Sequence, residues 1–242
     1  MLAAVSTEYY AKLERGHLSG VSDTVLSALA RALQLSEAER AHLFDLARAD
    51  ASDQEHEVRQ RVVPVSGSVL RPSIIRLLDS MTATPAYVRN SRFDVIAANR
   101  LCCSLYAGIF ASHTLPLNLG RFVFLDPRAT EFFVDWPVMA DDITAALRSC
   151  SAKNPADQAL NELISELRRD SREFASRWAR HEVRLHRSTR KRLRSQLAGE
   201  LELTGDALEL PGEDLTLIAY TAEPGSPAQA QLDLLVTAAA AA

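Results

Sequence analysis

Cysteine is scarce in this sequence: Cys102, Cys103 and Cys150 are the three among 242 residues. An odd number with no CxxC spacing and no histidine pattern beside it predicts neither a disulfide framework nor a zinc site, and the thiols read as small buried hydrophobes. Glycine is sparse too, with nine in all, and none sits in a phosphate-cradling pattern. There is no GxSxG elbow and no HExxH helix. His181, Glu182 and His186 lie close together, but a five-residue spacing does not bring two imidazoles onto one helical face as a four-residue spacing does, so no metal is expected. The sequence therefore reads as a non-enzyme without a cofactor. Apart from a C-terminal alanine tract the apolar runs are only a few residues long, which predicts no membrane span. The N-terminal MLAAVSTEYYAKLERG meets Glu8 before any apolar core of signal-peptide length, which points to the cytoplasm.

What is present is an ordinary globular composition, 47% hydrophobic and 24% charged, in a chain long enough for one large domain or two unequal ones. The net charge of −4 is unevenly spread. Residues 168–194 carry eleven Lys or Arg against three Asp or Glu, whereas residues 1–50 carry five against seven. A dense basic run of this kind is either the solvated side of an amphipathic helix around Phe174 and Trp178 or a phosphate-binding face, and the spacing of Arg169, Arg172, Arg177, Arg180 and Arg184 favours the helix.

Along the chain, Ser6 and Gly16 bracket a helix of about three turns. Ser22 or Asp23 starts a second, with Val25, Leu26, Leu29, Ala30 and Leu33 as its apolar stripe. Ser36 with Glu39 forms a capping box for a third, which should bury Leu43, Phe44, Leu46 and Ala47. Residues 51–70 are polar and then rich in Pro, Gly and Ser, as in a linker. Pro72 opens a helix to about Met81 with Ile75 and Leu78 inward. Residues 86–98 read as two strands around the turn RNSR, and a helix starts near Asn99, which suits its cap. Residues 127–148 carry one long helical period, a helix follows Pro155, and Ser171 caps another. The segments 200–203, 207–210 and 215–221 alternate as three strands, with turns at Gly205-Asp206 and Pro211-Gly212. A helix over 227–236 closes the chain. The fold class is α+β: a mixed or antiparallel sheet flanked by helices, preceded by short helices, with units at 1–50, 51–70 and 71–242.

The segment AVSTEYYAKLERG has the form of a turn, a serine cap and a helix ending in Leu-Glu-Arg-Gly. It resembles the recognition helix of the XRE, or lambda-repressor-like, helix-turn-helix family. Val5, Tyr10 and Leu13 form its inward set. By the resemblance Ser6, Thr7, Glu8, Tyr9 and Lys12 match the turn and base-reading positions, and Arg15 sits where a phosphate contact is natural. That family's first helix and nearly all of its second would precede Ala4, so the motif is expected to be partial. The blocks LRPSIIRLLDSMTATPAYVRNSRFDVIAANRLCCSLYAGIF, NLGRFVFLDPRATEFFVDWPVMADDITAALR, EFASRWARHEVRLHRSTRKRLR and YTAEPGSPA, in that order, resemble the ligand-binding domain of MmyB-like transcription regulators. The sequence departs from that pattern after Arg194, where Ser195-Gln196 replaces His-Pro.

This second resemblance implies a PAS-like domain and a fatty-acid-like ligand. A lipid-like ligand requires an apolar cavity with one or two polar groups for its head. Phe93, Phe122, Phe124, Phe132, Trp136, Trp178 and Tyr220 are the candidate walls, each of them equally at home in a core, and Arg121 or His181 the candidate partner of a carboxylate. The expectation is a homodimeric regulator that binds double-stranded DNA and senses a small apolar ligand. The alternative is a ligand-binding or protein-interaction module that has lost DNA binding through its shortened N-terminus.

Overall fold

A computed structural model describes Leu13 and residues 21–55, 70–110, 117–180, 188–210 and 214–241. The N-terminal part carries α1 (Asp23–Ala32), capped by Ser22, and α2 (Glu37–Glu55). The capping box forms as expected: Ser36 N donates to Glu39 Oε2 at 2.8 Å, and Glu39 N donates to Ser36 Oγ at 3.3 Å. Helix α2 runs to Glu55, into the stretch expected to be linker. Leu26, Leu29 and Ala30 are buried, but Leu33 and Leu46, both expected inward, are exposed. Of the helix expected around Ser6–Gly16, Leu13 alone is described, and it is helical and half-buried.

The sheet-bearing part of the chain begins at α3 (Pro72–Ser80), which has proline in its first turn and buries Ile74 and Leu78. Ile75, expected inward, is exposed instead. Two short strands follow, β1 (Ala86–Asn90) and β2 (Asp94–Ala98), and then α4 (Arg100–Leu105), α5 (Ala107–Phe110), β3 (Leu117–Asn118) and α6 (Leu119–Leu125). The period expected to continue unbroken from residue 127 to 148 is split into α7 (Arg128–Phe132) and α8 (Trp136–Lys153). The break has a tertiary cause. Phe133 bridges to Leu193 and Val134 N donates to Arg192 O at 3.0 Å, so the chain is drawn out of helix to cover a sheet edge. Helices α9 (Gln158–Asp170) and α10 (Arg172–Ala179) are capped by Asp157 and Ser171.

The C-terminal half corrects two readings. Residues 188–194, expected as the end of a basic helix, lie in a strand, β4 (Ser188–Ser195). Next, β5 (Gly199–Leu210) passes straight through Gly205-Asp206, where a turn was expected, before β6 (Leu215–Thr221) and α11 (Pro227–Ala241). Gly205 pairs with Thr189 on one side and with Tyr220 on the other. A Cβ there would come within 2.9 Å of the Tyr220 ring, so glycine serves close approach inside a strand. The turn expected at Pro211-Gly212 lies outside the described residues.

All six strands among the described residues join one antiparallel sheet in the order β3-β2-β1-β6-β5-β4. One face buries Ala86, Val88, Leu217 and Ala219 against Ile74 and Leu78 of α3. The other face carries Leu193, Leu201, Leu203 and Tyr220 into the main core, built with α4, α6, α7, α8, α9 and α10. No described helix is long and apolar enough to cross a membrane.

Candidate functional site

On the core-side face of the sheet, side chains recur every second residue: Tyr87 and Arg89 on β1, Thr216 and Ile218 on β6, Gly205 and Ala207 on β5, Thr189 and Lys191 on β4. The cross-strand pairs Tyr87↔Ile218, Ala207↔Ile218 and Thr189↔Gly205 place them in one surface. Where that surface carries small residues, α8 does not close upon it. A cleft of about 1000 Å³ remains, walled by Met139, Asp142, Ile143, Ala146 and Cys150 of α8, with Ala41 and Asp45 of α2 at its border. That volume is in the range of sites for small organic molecules, roughly 300–1000 Å³. Aliphatic side chains alternate in it with charged ones, Arg89, Lys153 and Lys191 facing Asp45, Asp142, Glu209 and Asp214.

The expected ligand residues fall into separate groups. Phe93 lines the cleft. Its backbone is left-handed, with φ at 66°, and the Arg89 guanidinium lies 3.9 Å above its ring. A left-handed phenylalanine costs roughly 1–2 kcal/mol, which burial of the ring offsets. Phe122, Phe132 and Tyr220 pack into an aromatic chain with Tyr106 and Phe133; Tyr106 and Phe132 have ring centres 4.6 Å apart. Phe124 and Trp178 pack on Phe174, and Trp136 packs on Phe124, in a second group. Neither group lines the cleft. Tyr87 connects the first one to it, lying 6.3 Å from both Tyr106 and Tyr220. Burial pushes the Tyr87 phenol up to about 12, so all three tyrosines are neutral.

Arg121, a candidate carboxylate partner, is on the surface, forking onto Glu166 with contacts of 2.8 and 2.6 Å. This pair holds α6 to α9. His181, like Ser6, Thr7, Glu8, Tyr9, Lys12 and Arg15, lies outside the described residues. The basic strand β4 is neutralised on its outer side: Arg190 meets Glu202 at 3.4 Å, Arg192 meets Asp135 at 2.6 Å, and Arg194 meets Glu200 at 3.6 Å. That pairing disfavours a phosphate-binding face. Of the cysteines, Cys102 is buried as expected, but Cys103 is exposed.

Of the expected ligand residues that are described, only Phe93 lines the cleft; the lining residues that escaped the sequence reading include Tyr87, Arg89, Thr189, Lys191, Gly205 and Ala207 on the strands and Met139, Asp142 and Ile143 on α8. A signal for part of this existed. In STRKRLRS the arginines fall at 190, 192 and 194, a period of two that marks a strand with one charged face, but their density in a long basic run imitates a helix surface.

Beside the cleft, His42 of α2 sits against Arg148 of α8, and its Nδ1 is buried without a partner among the described residues. Burial, then the positive charge of Arg148, lower its pKa from 6.5, and Asp45 opposes them in part. A histidine with a depressed folded-state pKa takes up its proton more readily when unfolded, so stability is complete above pH 6.5 and declines as pH falls through that value. The salt-bridged carboxylates, held below their ordinary range by their arginines, lose their contributions only at lower pH. Denaturant midpoints of the protein should fall as pH drops below 6.5 toward the lowered folded-state pKa, and His42→Gln should flatten that segment. Superimposable profiles would show that His42 does not titrate with folding.

Comparison with curated proteins returns no match. The family model described as the MmyB-like transcription regulator ligand binding domain matches residues 70–235, from two residues before α3 to the last turns of α11 and spanning every strand of the sheet; with more than half its length so matched, the chain belongs to that family.

Proposed function

We propose that the chain is a DNA-binding transcription regulator whose PAS-like domain takes a small apolar, fatty-acid-like ligand into the cleft between the sheet and α8. The observation that carries this reading is the border of the cleft. Ala41 and Asp45, which face it, belong to α2, a helix of the N-terminal unit. A ligand in the cleft therefore touches both the sensing domain and the unit assigned to DNA, which is the differential contact that coupling between two sites requires. DNA contact is assigned to Thr7, Glu8, Tyr9 and Lys12 with Arg15, and two-fold pairing of chains would match a two-fold operator.

Two measurements test the reading. A ligand bound only by the folded state stabilises it by about 2.7 kcal/mol at a hundred times its dissociation constant. A thermal-shift series with dodecanoate should accordingly raise the melting temperature of the protein. It should leave Ala146→Trp unmoved, because the indole would occupy the cleft beside α8. Flat curves for the unsubstituted protein would remove the ligand from this site. In a mobility-shift assay on DNA upstream of its own gene, dodecanoate should change the fraction bound. Ligand binding with no DNA retained under any condition would leave a ligand-binding module instead.

A further inference from the structure

Among the described residues the N-terminal helices meet the sheet-bearing part mainly through one helix pair, α2 on α8. Little apolar surface secures that contact: of the described side chains of α2, Ala47 alone is buried, and Leu46 stands exposed. The polar groups beside it are incompletely matched on both helices. Arg148 of α8 is 8% exposed and forms no ion pair among the described residues. Its Nη2 donates to the Trp178 carbonyl and its guanidinium lies 4.3 Å over the Trp178 ring, while Nε is buried without an acceptor. On α2, His42 Nδ1 is buried and equally without a partner among the described residues. A guanidinium stays charged across the pH range of folding, so the imidazole is the group of the two that can change.

The charged groups around His42 come from three helices. On α2 itself, Asp45 lies three residues on and favours the imidazolium; Glu39, three residues back, is bound to Ser36, and Arg40 lies 5.6 Å over the Phe44 ring. On α8, Arg148 opposes the imidazolium and outweighs Asp45. Asp141 is engaged by Arg177 at 2.8 Å, Lys153 by Glu209 at 4.0 Å, and Asp142 lines the cleft, where it acts on Lys191. On α1, Asp23 is in the first turn and Arg31 in the last. Protonation of His42 therefore sets a second cation near a buried one that has no counter-ion, in a junction where solvent screens poorly.

We infer that the contact of α2 with α8 is an acid-released latch: neutral His42 lets α2 lie beside Arg148, and the imidazolium is repelled from it, freeing the N-terminal helices while the sheet stays folded. The latch stands apart from the ligand reading, because it uses neither an occupant of the cleft nor DNA. The docked imidazole has a lowered pKa and the released one an ordinary value near 6.5, so docking is complete above pH 6.5 and weakens as pH falls toward the docked value. Over that interval the released fraction rises by up to about tenfold per pH unit, the limit for a single proton. Ala41 and Asp45 border the cleft, so release also removes that border.

The test is native-state hydrogen exchange of the full chain, read by mass spectrometry in steps of about one unit from about pH 7.5 to about 4.5 and corrected for the intrinsic pH dependence of exchange. Below pH 6.5 the protection of α2 should fall by up to about tenfold per unit relative to β5 and β6, which serve as the internal reference. His42→Gln, neutral throughout, should remove that fall. Asp45→Asn should extend it to lower pH, since the charge that favours the imidazolium is gone, and it supplies the second test if His42→Gln does not fold. Constant protection of α2 across the range would overturn the latch. So would a loss shared evenly by α2 and the strands, which is global unfolding, or a fall that persists in His42→Gln or is unmoved in Asp45→Asn.

Discussion

Phe174→Ala is expected to destabilise the protein by about 3–5 kcal/mol, the range for truncating a fully enclosed aromatic side chain. Phe174 is wholly buried. Its ring stands edge-on to Phe124 at 4.9 Å and stacks with Trp178 at 5.5 Å. Trp178 in turn carries the Arg148 guanidinium at 4.3 Å over its face and accepts a hydrogen bond from it at the backbone carbonyl. Trp136, the next ring outward, donates Nε1–H to Val123 O at 2.9 Å. Removing the central ring thus leaves a void among α6, α8 and α10 that these fixed neighbours cannot fill. Urea unfolding should show the loss as a lower midpoint at unchanged slope. Phe174→Leu, which keeps most of the volume, should cost much less. A loss below about 1 kcal/mol for the alanine variant would mean that the group collapses freely, and that its packing is not what joins these helices.

The second large effect belongs to a polar residue. Asn99 is 4% exposed and spends its whole hydrogen-bonding capacity on backbone. Its Oδ1 accepts from Ala86 N at 3.0 Å and from Cys102 N at 2.9 Å; its Nδ2 donates to Met81 O and Thr84 O, both at 2.8 Å. One side chain therefore caps α4, starts β1 and fixes the loop leaving α3. Asn99→Ala removes a helix cap, worth roughly 0.5–2 kcal/mol, and strands buried backbone groups at roughly 1–3 kcal/mol each. The lower ends of these ranges, one cap and three stranded groups, give an expected total of at least about 3.5 kcal/mol. Asn99→Asp separates the components, because it keeps both accepted bonds and loses both donated ones, leaving a carboxylate against two carbonyls. It should be destabilised as well, and increasingly so as pH rises through the carboxyl range. A loss confined to the capping range for the alanine variant would show that water replaces the other partners.

The two residues differ in how far they could be read beforehand. That Asn99 caps a helix is visible in the sequence, because a cap and the N–H that donates to it lie three residues apart. Its bonds to Met81, Thr84 and Ala86 depend on a chain reversal between α3 and β1. Phe174 was legible as an inward residue of a capped helix, but its ring partners come from α6 and from a later turn of its own helix. The same division runs through the cleft. Phe93, an expected wall residue, lines the cleft, and Arg89 and Lys191 line it without having been expected, since they come onto one face only when β1 and β4 occupy the same sheet with β6 and β5 between them.

What the amino-acid sequence determined by itself is the set of features whose causes lie within about four residues. These are the caps at Ser22, Ser36, Asn99 and Ser171, the proline start of α3, the hairpin over residues 86–98, the α+β class and the family. The tertiary structure decided the rest. It made a strand of the basic segment 188–195 because β5 offered a partner and Glu200, Glu202 and Asp135 offered counter-charges. It carried β5 through Gly205-Asp206 because the absent Cβ admits Tyr220. It interrupted a helical period at Phe133 to bridge Leu193. It left a cleft where small side chains on the strands meet α8. Each is a choice between two locally acceptable conformations that differ little in intrinsic preference, so the free energy of contacts distant in sequence settles them.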